Sequence, residues 1–218
     1  MSPAPPDHHP GTALPLLDSV DLVLSTTRSV RRKLDFERAI DPQTLFECVD
    51  LATQAPMGLA GEHWRFVVLT ELAIKTQLAD VYRSVIDELQ ASRRVPIKRT
   101  QRALTDRLHE LPALVVLCST APPPGADLSS QIGFYGSILP CAWSFMLALR
   151  ARGLGTTWTS LLSARQDEVR RIIGAPESVF HLVMFPVAYT LGATLRPAQR
   201  QDARAVTYWN RYGDPPPA

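Results

Sequence analysis

The sequence predicts an α+β fold in which long helices pack on a small sheet, and three observations lead there. Residues 64–69, 113–118 and 181–191 are short runs rich in branched and aromatic side chains, the pattern of strands. Several longer segments repeat apolar residues at helical spacing, most clearly between 130 and 152. The 218 residues are 45% hydrophobic and 20% charged, enough apolar material to bury a core and to exclude wholesale disorder. The elements follow the order helix, helix, strand, helix, helix, strand, helix, helix, strand, with no internal repeat.

In chain order, Asp18 to Ser25 is a short apolar-rich helix, followed by the basic run Arg28-Ser-Val-Arg-Arg-Lys33. Asp41 caps the next helix, Pro42 occupies its first turn, and Leu45, Phe46, Val49 and Ala52 form its stripe. Pro56 requires that helix to have stopped. Trp64–Leu69 is a strand, Glu71–Gln90 a helix, and 93–110 a basic helical segment. Ala113–Cys118 is continuously apolar, as expected of a strand buried on both faces. The apolar helix of about 130–152 ends at Gly153-Leu-Gly155. Gln166–Ile173 is a short helix closed by Gly174, His181–Leu191 a strand, and Ala205–Tyr212 a final short helix or hook. Of 19 prolines, five fall in 1–17, three at 122–124 and three at 215–217. The first and last clusters predict disordered tails over 1–17 and 213–218, leaving 18–212 as one domain. His8 and His9 belong to the first tail, where solvation is expected rather than metal binding.

Composition excludes several function classes. Lys+Arg 23 against Asp+Glu 21 leaves a net charge of +2, too balanced for a polyelectrolyte partner unless the charge is local. Cys48, Cys118 and Cys141 are widely spaced and odd in number, which argues against a disulfide framework or a zinc site and fits a reducing cytoplasm. The amino-terminus does not read as a secretory signal. The most apolar stretch, Ile138–Leu149, is about half the roughly 20 residues a bilayer span needs and contains Pro140, so no membrane association is expected. There is no GxxxxGK[ST], HExxH or GxSxG, and Gly153-Leu-Gly155 follows a helix without a third glycine, which excludes a dinucleotide fingerprint.

Three segments carry chemical potential. Thr27-Arg28-Ser29-Val30-Arg31-Arg32 offers guanidinium groups and hydroxyls that can surround a phosphate, or else forms a solvated basic turn. Ala55-Pro56-Met57-Gly58-Leu59-Ala60-Gly61-Glu62-His63-Trp64 has glycines that permit close approach to a flat ligand, or is a plain helix–strand connection. Gly153-Leu-Gly-Thr-Thr-Trp158 is a loop with free main-chain N–H groups. His109 and His181 have no partners at ligand spacing and are expected to be structural.

Together, Arg28-Ser-Val-Arg31, then Ala-Pro-x-Gly…Trp-Arg-Phe-Val-Val some 27 residues later, then a long apolar helix ending Gly-Leu-Gly-Thr-x-Trp, then an apolar strand reaching Leu-Gly resemble the nitroreductase family of FMN-dependent oxidoreductases, over about Ser19 to Tyr212. The resemblance implies a mixed central sheet sandwiched by helices and a domain-entwined homodimer with FMN at the subunit interface. It assigns Arg28 and Ser29 to the flavin's phosphate and ribityl side and Arg31 to the pyrimidine edge. Thr156 and Thr157 would face the ring near N5 through main-chain groups. Arg200, with Arg204 in reserve, would complete the phosphate site, and Pro56, Met57, Gly58 and Ala60 would form the Ala-Pro cofactor loop. The implied activity is transfer of electrons from NAD(P)H to a small nitro- or quinone-like acceptor by hydride transfer through N5, with no side-chain nucleophile and no metal. The different-class alternative is an FMN-binding protein with little turnover, a store or a sensor.

The chain departs from the family pattern in that loop, where Met57, Ala60, Glu62 and His63 replace the usual Ser, Asn, Gln and Pro. Ala60 removes an amide that usually bonds the ring, a loss of about 1 kcal/mol. Glu62 and His63 either supply proton transfer or shape the loop surface. Arg93-Arg94-Val-Pro-Ile-Lys98-Arg99-Thr-Gln-Arg102 either steers phosphates of NAD(P)H or an acidic substrate, or is a solvated face; without interleaved aromatics it does not suggest nucleic acid. The 132–149 stripe is expected to supply packing and dimer surface, with Tyr135 and Trp143 available to a neighbour.

Overall fold

Residues 16–58, 61–92 and 97–217 are described by the computed structural model, and the chain divides into two units. One is Thr27–Thr194; the other combines the terminal segments Met1–Thr26 and Leu195–Ala218. The proposed tail at 1–15, His8 and His9, Ala60, Arg93 and Arg94 lie outside the described residues.

In the terminal unit, α1 (Leu17–Thr26) closes with Ser25 and Thr26 hydroxyls donating back to the carbonyls of Asp21 and Leu22. The carboxy-terminal segment contains a 3-10 turn at Ala203–Val206, which starts where the Asp202 carboxylate accepts from the Arg204 N–H at 2.8 Å. Of the short helix or hook expected over 205–212 the structure has the hook, preceded by this 3-10 turn: Asn210 takes φ +66°, a left-handed conformation that stops helical propagation.

In the larger unit, α2 (Pro42–Ala52) begins as expected, with Asp41 Oδ1 accepting from Gln43 N at 3.0 Å and Pro42 in the first turn. There follow β1 (Trp64–Leu69), α3 (Leu72–Ala91), α4 (Arg99–Asp106), β2 (Ala113–Ser119), α5 (Leu128–Ala151), β3 (Leu154–Thr156), α6 (Gln166–Ile173) and β4 (Phe180–Tyr189). The basic segment expected over 93–110 is broken where described: α4 is followed by a separate 3-10 turn at Leu108–Glu110. Gly174 closes α6 in the left-handed conformation at φ +67°.

The sheet has the order β1-β2-β4-β3, and every neighbouring pair is antiparallel. This corrects the expectation of a mixed sheet. Leu69 at the end of β1 sits opposite Leu114 at the start of β2, so the excursion through α3 and α4 returns the chain to the end it left. β3 was not foreseen; three residues are too few for a period-2 signal to emerge.

All seven residues of β2 are buried because both faces of the sheet are covered. Val115 and Leu117 share a core with Val183, Phe185 and Val187 of β4, with α2, and with Phe134, Ile138, Phe145 and Leu149 of α5. Phe145 stands at the centre, its ring 5.3 Å from both Phe66 and Phe185. α5 is long and apolar enough to cross a membrane by length and composition, but half of its most apolar window is buried inside the protein.

Candidate functional site

Two segments far apart in sequence meet at β3. The Val30 N–H donates to the Thr156 carbonyl at 2.8 Å, Leu34 bridges Thr190, and the Leu191 N–H donates to the Lys33 carbonyl at 2.7 Å. Residues 30–34 therefore run against the β3–β4 edge. Gly155 makes this approach possible: a Cβ there would lie 2.8 Å from Thr190 Cγ2, 3.0 Å from Leu34 Cδ2 and 3.2 Å from Val30 Cβ. Gly153 serves the other requirement, a left-handed exit from α5 at φ +75°. The two glycines read as one loop motif thus have separate jobs.

The turn after β3 is held at both ends. Thr156 is tied to Val30, and Thr159 exchanges main-chain hydrogen bonds with Met184, at 3.2 and 2.8 Å. Between them Thr156 and Thr157 are each 3% exposed, and their buried hydroxyls have no hydrogen-bond partner. Buried hydroxyls are normally satisfied, so these two invite a ligand. Arg31 and Thr157 line the same cavity, of about 180 Å3, together with Tyr82 of α3 and Thr159. The Arg31 guanidinium has no hydrogen bond or ion pair among the described residues. Sequence reasoning placed Arg31 and Thr157 in one site, and the fold brings them to one cavity. It missed Tyr82 and Thr159, whose hydroxyls are 3.2 Å apart, because neither lies in a recognisable motif.

Arg28 is half-buried and its guanidinium donates to the Thr27 carbonyl at 2.9 Å, while Ser29 is exposed. Arg200 belongs to the terminal unit and is exposed there; Arg204 donates to the Pro217 carbonyl at 3.0 Å within the same unit.

The Ala-Pro loop is anchored to α5. The Gly58 N–H donates to Ser137 Oγ at 3.0 Å, and Ser137 Oγ donates in turn to the Gly133 carbonyl at 2.7 Å. A Cβ on Gly58 would come within 3.3 Å of that oxygen. Pro56 is exposed, whereas Met57 packs against the main core. Ser137 is the further residue that sequence reasoning passed over; its one signal was a hydroxyl inside an apolar stripe. Glu62 is exposed, and His63 is half-buried with Nδ1 3.0 Å from Thr120 Oγ1, which supports its loop-shaping role.

In the described part of the basic segment Arg102 is latched by Asp87 of α3 and by Asp106, and Arg107 lies 3.8 Å over the Phe36 ring, whereas Lys98 and Arg99 are exposed. His181 is buried and its Nε2 donates to the Leu162 carbonyl at 2.6 Å, a structural role; burial pushes its pKa below the usual imidazole value. Burial also raises the thiols, Cys48 to about 11 and Cys118 and Cys141 to about 12, so none is an activated nucleophile. Among the described residues no cluster of His, Cys, Asp or Glu could hold a metal.

The model of the Nitroreductase family matches residues 24–189. The fold is similar to that of a nitroreductase-like family protein from Bacillus cereus, with a TM-score of 0.66 and 20% identity over 92% of this chain and 100% of that one. It is similar too to iodotyrosine deiodinase bound to FMN and 3-iodo-L-tyrosine, with a TM-score of 0.64 and 21% identity over 87% and 100%. A BluB-like flavoprotein from Clostridium difficile 630 matches with a TM-score of 0.66 and 17% identity over 91% and 100%.

Proposed function

The chain belongs to the nitroreductase family, and from that premise we propose that it is an FMN-dependent oxidoreductase that passes electrons from NAD(P)H to a small nitro- or quinone-like acceptor. The observation that carries the reading is the pair of orphaned, buried hydroxyls on Thr156 and Thr157 beside an Arg31 guanidinium without a counter-ion. These groups suit a ligand rich in hydrogen-bond acceptors that gains negative charge.

When bound, FMN supplies hydride exchange at N5. The chain holds and orients it. Arg28 and Ser29 take the phosphate and ribityl side, with Arg200 as the carboxy-terminal contributor to the phosphate. Arg31 lies at the pyrimidine edge, where a fixed cation favours the reduced ring. Thr156 and Thr157 position the ring through the turn pinned by Val30 and Met184. Pro56, Met57, Gly58 and Ala60 belong to the Ala-Pro loop, whose anchor is Ser137. With Gly58 N–H donating inward and Ala60 lacking an amide, this loop contributes shape more than hydrogen bonds.

The homodimer belongs to the same proposal. Stopped-flow mixing of the purified protein with NADH and with NADPH tests the whole: rapid bleaching of bound flavin by either donor is expected. Retained flavin inert to both would favour the store or sensor instead. Replacing Arg28 by Ala removes a charge-assisted phosphate contact and should lower FMN content on purification about tenfold or more. Unchanged flavin content would remove Arg28 from the site.

A further inference from the structure

We propose that Tyr82, its hydroxyl set by Thr159, is a further residue contacting the flavin, and that it favours the reduced ring by donating a hydrogen bond beside Arg31. This role rests on the FMN reading above and adds to that same site a contributor from α3, an element that none of the family motifs touches.

The phenolic oxygen is the feature that needs an explanation. α3 presents Leu78, Ala79, Tyr82, Val85 and Ile86 as one buried stripe at spacings of three and four. Phenylalanine would complete that stripe, so packing accounts for the ring and not for the hydroxyl. Lys75, the other polar group buried among these α3 residues, spends its ammonium on the Leu111 carbonyl. Tyr82 meets no such acceptor: among the described residues its only hydrogen bond is with Thr159 Oγ1, 3.2 Å away. Two hydroxyls joined by one bond keep one proton in hand. With Thr159 donating, that proton is the phenolic one. Tyr82 and Thr159 are 6 and 7% exposed, and donors buried to this degree are normally paired.

Tyr82 and Thr159 line the same cavity as Arg31 and Thr157, and no carboxylate lines it. The Arg31 guanidinium, the Thr157 hydroxyl and the Tyr82 phenol therefore offer three donors to one space. Such a set matches the edge of a ring that carries oxygen and nitrogen acceptors and gains negative charge on reduction. The donor is held in place beforehand. Tyr82 is packed into the α3 stripe, and Thr159 is pinned by its main-chain hydrogen bonds with Met184 at 3.2 and 2.8 Å. A hydrogen bond to a charged acceptor is about twice as strong as one to a neutral acceptor. The phenol thus discriminates between the two states of the ring instead of holding both equally.

Tyr82→Phe deletes the phenolic oxygen alone, and Thr159→Val removes the hydroxyl that orients it. Redox titration of the purified full chain against a reference dye, followed by visible absorbance, tests both. In each variant the preference for reduced over oxidised FMN should fall about tenfold, a midpoint potential about 30 mV lower for a two-electron couple. A tie that merely braces α3 against the turn would lower the urea midpoint and leave the potential where it was. Should Tyr82→Phe fail to fold, Thr159→Val reads the same contact. An unmoved or raised potential in the folded, yellow variant overturns the role of Tyr82 alone. A wild-type chain that stays colourless after incubation with FMN and desalting overturns the flavin reading beneath it.

Discussion

Gly155 carries the tightest constraint on the candidate site, because three side chains occupy the space a methyl group would need. Thr190 and Leu34 are themselves paired across an isolated bridge, so neither can retreat without breaking it. Gly155→Ala should therefore cost about 1–3 kcal/mol as an overpacking change. It should also loosen the Val30–Thr156 contact, seen as a lower unfolding midpoint together with reduced flavin retention. His181 provides a pH test at the same scale. An unfolded histidine titrates near 6.5, whereas burial holds the folded ring below that value. Its contribution to stability is fully present above 6.5 and is lost as pH falls through the folded pKa, since the unfolded chain then binds the extra proton. Urea unfolding at pH 7 and pH 5.5 should show this loss, and His181→Gln should show a smaller difference between the two pH values.

Elements differ in how locally they are determined. α2 is written in its own residues: a capping Asp41, Pro42 in the first turn and an apolar stripe against α5. Asp41→Ala should cost about 1 kcal/mol, measured as a shift in the urea midpoint with unchanged slope. β1 and β2 were equally readable, β2 because a continuous apolar run of this length has few other uses and β1 because aromatic and branched residues cluster in it. β3 depended on its neighbours: Leu154, Gly155 and Thr156 become a strand because Tyr189, Ala188 and Val187 lie alongside to pair with them. The Ala-Pro loop is similar, its course set by Ser137 from a helix some 80 residues later.

On the scale of the whole molecule, the larger unit leaves an apolar stripe uncovered. Leu128, Ile132, Tyr135 and Trp143 lie along one face of α5 and are 69, 64, 40 and 40% exposed. Such a face on a helix that otherwise forms the core marks an association surface, consistent with the proposed homodimer. Light scattering should give twice the chain mass, and Ile132→Asp should shift the protein toward monomer with loss of flavin. A stable wild-type monomer carrying flavin would refute the dimer.

Periodicity, capping residues and proline positions are local properties, and by themselves they determined the α+β class and the order of the main helices and strands; the family came from the resemblance of four motifs in order. The resemblance also named Arg31 and Thr157 as neighbours of one ligand. Strand direction, the short β3 and the anchoring of the cofactor loop were decided only by tertiary structure. So were the orphaned hydroxyls and the cavity walled by Tyr82 and Leu104. Each of these depends on which atoms from remote parts of the chain fill, pair or leave open the space beside a residue. A one-dimensional pattern records a residue's own preferences but not the partner it lacks.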